Sequence, residues 1–573
     1  MKVAGMSQDA SRRGQDIVRY QIIWNRLISI AEQQAHALVR CAFGAPTREA
    51  GDLSAGIYDA RGNMLSQAVT GTPGHVNSMA KSVMHVLDAF SPAQIEEGDA
   101  FIFNDPWKGT GHLNDIVLVT PVFAGSQLVA FFACTLHVVD IGGCGVFGRA
   151  AQVYEEGLFL PILKIRRAGR LNDDVIAIIR QNVRESGQVL GDIFAEISSN
   201  DLGARLLVEL IETFGHETFH AAGHYILETS RNASLELVKA LPHGEFLNSM
   251  TVDGFGAPFT LSAKVTISEQ GIDVAYVDVP DCVGIGINVP LSYTEAYTAY
   301  GVKLLVNPDV PNNAGSLSVV TVSAPDGSLL NARHPAPVAG RGAVGQLLPD
   351  VVMGCFSAIA GMAVPAESSS SLWNIVLSGG PGLVPAVPGE THALGRTFNL
   401  ISLNAGGMGA QGHQDGMSAT AFPSGIRNVS VEILETMAPI VVTRKDLAVN
   451  SGGAGRFRGG LGQVVEIESR ENVAFATSPN YDRTIYPARG RDGGLPGGKG
   501  HVSLASGASL PPRGSAVVPA GDRLVIQMAG GGGYGAPAER PAECVRRDIR
   551  YGYITEAYAD AHYPSWREAS RSV

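Results

Sequence analysis

The chain has 573 residues and a net charge of −11 with no block of lysine or arginine, which excludes nucleic acid and anionic membrane as its main partner and leaves solubility as the role of the charge. That length exceeds an ordinary single domain and predicts two or three domains with sizeable cores, enough for an enzyme subunit. Glycine is abundant, 69 residues without a collagen-like period, and reads as turns and bulges between short strands; the six cysteines form no Cys-x-x-Cys pair, which excludes a zinc ribbon and fits reduced thiols in a cytoplasmic protein.

Residues 1–15 are polar, lack the apolar core of a signal peptide and read as a flexible leader. No apolar run reaches the roughly 18 residues of a membrane span. Ile23, Leu27, Ile30, Ala31, Ala35 and Leu38 recur at helical spacing and predict one long packing helix over 17–41. An apolar run starting at Asp52 stops at the Asp59-Ala-Arg-Gly62 turn and resumes as a strand, which places Asp52 at a strand start. Gly71-Thr-Pro-Gly-His75 leads into a helical pattern over 79–90. His75 is there either a capping or turn residue, or part of an anion site at a helix N-terminus suited to a substrate carboxylate.

Lys108-Gly-Thr-Gly-His112-Leu-Asn-Asp115 is followed by two strand-like runs, 116–123 and 128–139, separated by turn residues 124–127. A turn centred on Gly125-Ser126 makes antiparallel partner numbers sum to about 251 and sets His137 opposite Asn114. His112, Asp115 and His137 then converge at one end of a hairpin. Two imidazoles and a carboxylate suit zinc, manganese or iron while leaving positions for water or substrate. Asp140, three residues after His137, is spaced to orient an imidazole. The plainer alternative is a set of hydrogen-bonded polar residues at a strand end.

Asn104-Asp-Pro-Trp-Lys-Gly-Thr-Gly-His-Leu-Asn-Asp115, with His137-Val-Val-Asp-Ile-Gly-Gly143 and Tyr154-Glu-Glu-Gly-Leu158, resembles the hydantoinase B/5-oxoprolinase family. The likeness runs from Trp24-Asn-Arg-Leu27 to Gly530-Gly-Gly-Gly-Tyr-Gly535. It implies a metal-containing B-type subunit of an ATP-dependent amidohydrolase that opens a cyclic amide: a hydantoin, a lactam or 5-oxoproline. It also implies a hydantoinase A-like, A-type partner subunit that binds ATP, and hence a hetero-oligomer. Because the family is related to acetone and acetophenone carboxylase subunits, a ketone carboxylase holding an enolate is the alternative, and a non-catalytic scaffold a third reading. The family aspartate matching Asp52 lies near the metal in an Asp-Phe-Ser pattern. Asp52 is therefore expected as a fourth ligand or water-activating base, although Leu53 replaces the Phe here and a turn role is the alternative. His75 and Asp140 complete the candidate catalytic set.

Residues 172–214 are helical in pattern and the signal persists to about 241, with packing and no chemistry. From Gly244 alternating strands broken by Pro and Gly begin. The expectation is therefore an α+β multi-domain chain: an α/β domain with the metal hairpin over 16–244, a β-rich, glycine-rich region over 245–539 and a packing tail over 540–573. Residues 287–305 return to helix, and Glu367-Ser-Ser-Ser-Ser371 reads as an exposed loop. His413 and Asp415 sit in a Gly-rich loop that either lines the substrate pocket or is shaped by its backbone. The acidic residue that family members place just before that loop is missing at Ile401-Ser-Leu-Asn404. Residues 428–435 alternate like a strand and put Glu432 and Glu435 on opposite faces, against a paired-carboxylate device. The glycine clusters at 451–462 and 490–500 lack the Gly-Lys-Ser/Thr ending of a phosphate loop, and no Gly-x-Ser-x-Gly or dinucleotide fingerprint occurs. Energy input is therefore expected from a partner.

Overall fold

The computed structural model describes residues 2–69, 72–144, 150–370, 372–386 and 393–567. Helices and sheets mix along a chain that divides into two compact units. The first comprises residues 1–245, 265–275 and 281–341, the second 246–264, 276–280 and 342–573. The expected boundary near 245 marks the first crossing only, because the chain returns to the first unit. Among the described residues no helix is long and apolar enough to cross a membrane.

In the first unit α1 covers Lys2–Cys41, so the segment read as a loose leader is continuous with the long helix. Its stripe Ile23, Leu27, Ile30, Ala31, Ala35 and Leu38 is buried, as its spacing requires. There follow α2 (Ala45–Arg48), β1 (Leu53–Asp59), β2 (Met64–Gln67), α3 (Pro73–Met79), α4 (Ser82–Ala89), β3 (Ala100–Phe103), β4 (Asp115–Ala124), β5 (Gln127–His137), α5 (Val153–Glu156), β6 (Leu163–Arg167) and β7 (Arg170–Leu171). Three helices follow: α6 (Asp173–Asn182), α7 (Ser186–Phe214) and α8 (His216–Lys239). The strands form one antiparallel sheet in the order β2-β1-β5-β4-β3-β6-β7.

The sheet's centre is buried on both faces. Leu118, Phe132, Cys134 and Leu136 join a core with the α1 and α7 stripes, while Val117, Val119, Phe131 and Ala133 join another with Met79, Val83 and Val86 of α3 and α4. Double burial explains why β4 and β5 read as nearly continuous apolar runs. Each fully buried Leu, Val or Phe contributes about 1.5–3 kcal/mol, and a one-residue slip would exchange the two faces, so packing fixes the register.

The chain passes between the units along β8 (Gly244–Val252), β9 (Phe259–Ser268) and β10 (Gly271–Asp278), and α9 (Leu291–Val306) lies in the first unit.

In the second unit the four glycine-rich stretches at 405–412, 451–462, 490–500 and 528–535 serve less as turns than as bare backbone that packs against backbone. Gly453 N–H donates to Gly531 O and Gly531 N–H to Gly460 O. A Cβ on Gly407 would lie 1.9 Å from Gly460 O. Side chains are excluded there by chain-to-chain contact. Two further expectations are corrected. Glu367, Ser368, Ser369 and Ser370 are buried, Ser371 lying outside the described residues, because Asp350 accepts from Ser368 N–H and Ser370 Oγ while Glu367 pairs with Arg483 at 3.2 Å. Val431–Met437 is a helix, capped by Ser430 Oγ accepting from Ile433 N–H, so Glu432 and Glu435 share one side. The tail forms helices Ala542–Arg550 and Glu556–His562, and Val545, Ile554, Ala559, Tyr563 and Trp566 cluster with Ala454.

Candidate metal centre

Near the turn the hairpin pairs as expected, Ala124 with Gln127 and Phe123 with Leu128. A bulge then shifts the register, so that Val122 faces Ala130 and Asp115 faces His137 directly. The turn alone sets His137 opposite Asn114; one extra residue in β5, Val129, accounts for the difference. In the same register β1 pairs Leu53 with Leu136, and His137 N–H donates to Asp52 O at 3.2 Å. Asp52, His137 and Asp115 therefore lie on one rung across three adjacent strands, at the end where apolar residues give way to polar ones.

The three motifs around this rung are tied together. Asn104 donates from Nδ2 to Leu113 O and Leu158 O and accepts from Leu160 N–H, and Leu158 N–H donates to Ile141 O. Gly111 has φ +93°, and a Cβ there would lie 2.9 Å from Arg341 Cδ, so glycine permits both the turn and the approach of Arg341.

The Asp115 carboxylate is fully buried and its two oxygens have separate surroundings. Oδ2 accepts from Thr110 Oγ1 at 2.5 Å and from an Arg341 guanidinium N–H at 2.7 Å, with His75 Nε2 at 2.8 Å. Oδ1 faces His112 Nε2 at 2.8 Å and His137 Nδ1 at 3.0 Å. Burial alone would raise the Asp115 pKa, but the cationic groups gathered around it, Arg341 among them, hold it well below the usual carboxylate range.

His112 Nδ1 lies 2.9 Å from Ala339 O. A carbonyl can only accept, so the ring proton sits on Nδ1 and Nε2 presents a lone pair. Burial first, and then the nearby Arg341 charge, lower the His112 pKa to about 3, which keeps the ring neutral. The 2.8 Å approach to Asp115 is thus no hydrogen bond, and Nε2 is a buried atom without a partner. A lone pair against a carboxylate oxygen is repulsive unless a cation lies between them. His112, Asp115 and His137 offer three ligand atoms within 4.8 Å of one another. Two ligands about 2.1 Å from one ion and 90° apart stand about 3.0 Å from each other, so the spacing and the orphaned nitrogen both fit a divalent transition metal.

His75, at the third helical position of α3 where its N–H reaches the Thr72 cap, turns its ring into the cluster. Its Nδ1 lies 3.4 Å from Asp52 Oδ1, and neither atom has a hydrogen-bond partner. Burial works to lower the His75 pKa, but the Asp115 and Asp52 charges outweigh it and the net shift is upward. Asp52 is thus brought to His75 and not into the group of three ligand atoms. Asp140 is not brought to an imidazole: Oδ1 takes the Arg184 guanidinium at 2.8 Å and Gly142 N–H. Asp415 is held by Arg540 at 2.6 and 2.8 Å, and His413 is exposed. Sequence reasoning missed Thr110 and Arg341. Arg341 also donates from Nε to Thr110 O and lies over the Tyr293 ring at 4.3 Å. No local pattern announced it, because it comes from 226 residues beyond Asp115. The cluster opens towards Asp52 and His137, whose side chains keep 13% and 16% exposure against 3% for His75 and His112.

The sequence model of the family described as Hydantoinase B/oxoprolinase matches residues 16–537. A protein of Pseudomonas sp. (strain NS671), the B-type component of a putative D-/L-hydantoinase, is 28% identical, the match covering 96% of this chain and 95% of that protein. Among solved structures, the ATP-dependent caprolactamase from Pseudomonas jessenii superposes with a TM-score of 0.84 at 23% identity, covering 97% of both chains. A nucleotide-free acetone carboxylase superposes with a TM-score of 0.81 at 19% identity, covering 96% of this chain and 80% of that one.

Proposed function

Since the chain belongs to the hydantoinase B/oxoprolinase family, we propose that it is the metal-containing B-type subunit of an ATP-dependent amidohydrolase that opens a cyclic amide, a hydantoin, lactam or 5-oxoproline. The observation that carries the reading is the orphaned His112 Nε2 facing Asp115 Oδ1.

His112 Nε2, Asp115 Oδ1 and His137 Nδ1 would hold zinc, manganese or iron, which when bound supplies a Lewis acid that polarises a carbonyl or acidifies a water. Ala339 O keeps the His112 lone pair aimed inward. Arg341 and Thr110 occupy Asp115 Oδ2 and leave Oδ1 to the ligand side. The substrate would enter from the side of Asp52 and His137, where exposure remains. Asp52, whose Oδ1 lies beside His75 Nδ1, would take a proton from an attacking water and share it with the imidazole. An unstrained amide is a poor electrophile, so coupling to ATP on an A-type partner is chemically sensible; the Pseudomonas sp. relative, one component of a multi-subunit hydantoinase, supports such a partner. Asp140 is assigned to loop anchoring through Arg184.

The fold shared with an acetone carboxylase supports a second reading, a subunit of an ATP-dependent ketone carboxylase. Incubating the assembled complex with ATP and either lactams and hydantoins, or ketones with labelled bicarbonate, separates the two. Ring-opened amino acid without label incorporation is expected, and label fixed into product would transfer the assignment to the carboxylase.

A further inference from the structure

Glu156 stands outside the cluster and touches none of its imidazoles, yet it is 1% exposed directly after the exposed Tyr154 and Glu155. It is the last residue of α5, a single turn. One carboxylate oxygen, Oε1, accepts both Val338 N–H at 2.7 Å and Ala339 N–H at 2.8 Å. The other, Oε2, is buried without a hydrogen-bond partner.

The two amides belong to the segment that serves the cluster twice. Ala339 presents the carbonyl that fixes the His112 tautomer, and Arg341, two residues on, donates to Asp115 Oδ2. This segment is a loop in which consecutive N–H groups would have no partner without Glu156. The segment carrying Glu156 is itself anchored: Asn104 takes Leu160 N–H and donates to Leu158 O, and Val153 N–H donates to Pro335 O. A rigid support therefore presents one oxygen to two successive amides, and the next peptide along, whose Gly340 N–H donates to Gly286 O, aims Ala339 O at His112 Nδ1. Without the carboxylate, two buried amides lose their acceptor and the loop keeps only the bonds Gly340 N–H to Gly286 O and Arg341 N–H to Val338 O, so Ala339 O is less firmly aimed and Nε2 no longer presents a fixed lone pair.

We propose that Glu156 is a positioning residue of the metal centre: by holding Val338 and Ala339 it locks the His112 tautomer and places Arg341 on Asp115. The proposal deepens the metal reading above and rests on it for the consequence in metal affinity, but not for the hold on the loop. The substitution Glu156→Ala removes the acceptor, whereas Glu156→Gln keeps an amide oxygen in its place.

Two measurements on the full chain test it. Hydrogen exchange of the metal-free protein reads the 336–341 peptide, and competition against a chelator reads zinc affinity. Expected for Glu156→Ala are exchange in 336–341 faster by about tenfold and zinc affinity lower by about 10–100-fold, the range typical of losing an outer partner of a ligand. Glu156→Gln should bring both back to within about threefold of the unaltered protein, since the acceptor is retained. Ile226→Ala, a core change in α8, controls for general loss of stability and should alter neither. Unaltered exchange in Glu156→Ala, affinity unaltered despite faster exchange, or an equal loss of affinity in Ile226→Ala at matched melting temperature would overturn the assignment. Faster exchange in Glu156→Ala in a protein that takes up no zinc even when unaltered would uphold the hold on the loop and defeat the metal reading instead.

Discussion

Asp115→Asn keeps the size of the most contacted side chain in the cluster and removes its charge. In the metal-free protein Arg341, itself buried, then faces a neutral amide. Removing one partner of a buried ion pair costs about 3–5 kcal/mol, because the remaining charge stays desolvated. Arg341 keeps its hydrogen bond to Thr110 O and its place over Tyr293, which favours the lower end of that range. An Asn amide turned towards His112 Nε2 also gains a hydrogen bond worth about 1 kcal/mol, since that nitrogen is a bare acceptor. The net expectation is a loss of about 2 kcal/mol. At about 2.1 cal/mol/K per residue, a unit of about 300 residues unfolds with roughly 0.6 kcal/mol/K, so the melting temperature should fall by about 3 °C. Calorimetry of the metal-free protein, paired with zinc competition, is the assay, and zinc affinity should fall at least tenfold alongside. A metal-free Asp115→Asn protein melting at or above the unaltered one would refute the pairing of Arg341 with a charged Asp115.

Asp52→Asn in the partnered enzyme should lower turnover by about 10²–10⁴-fold with melting nearly unchanged; turnover near that of the unaltered enzyme would return Asp52 to a turn role. Burial pushes the Asp350 carboxyl up to about 6, with Glu367 adding and Arg483 opposing. Its folded value lies above its unfolded one, so its contribution is complete below about pH 4 and is lost as pH rises through 6, roughly 3 kcal/mol in all. Asp350→Asn should flatten that part of the stability profile between pH 4 and 7, measured by denaturant midpoints, and an unchanged slope would count against it. Gly407→Ala drives a Cβ to within 1.9 Å of Gly460 O and should destabilise by about 3 kcal/mol, whereas Gly187→Ala in α7, with nothing within 4 Å, should be neutral or stabilising by about 0.5 kcal/mol. Equal denaturant midpoints for the two variants would contradict backbone-on-backbone packing of the glycine stretches.

The parts of the cluster that sequence reasoning found are those whose spacing is local. His112 and Asp115 lie three apart, and His137 follows across a hairpin whose turn announces itself at Gly125-Ser126. The bulge at Val129 escaped because a one-residue insertion leaves the apolar run unbroken, and it moved His137 from Asn114 to Asp115. Arg341 and Ala339 escaped because tertiary packing brings them in from more than 220 residues away. The α1 stripe was legible from its period. Residues 428–435 misled because Val429, Val431 and Ile433 alternate, while the Ser430 cap that decides for helix is a single residue. The serines at 368–370 read as a surface loop because composition does not reveal a buried carboxylate such as Asp350 that satisfies them.

Metal content of the purified, partnered protein tests the central claim most directly. About one divalent transition metal per chain is expected in the unaltered protein, and close to none in His112→Ala and His137→Ala preparations that retain their fold. Equal metal content in all three would contradict a centre built on His112, Asp115 and His137.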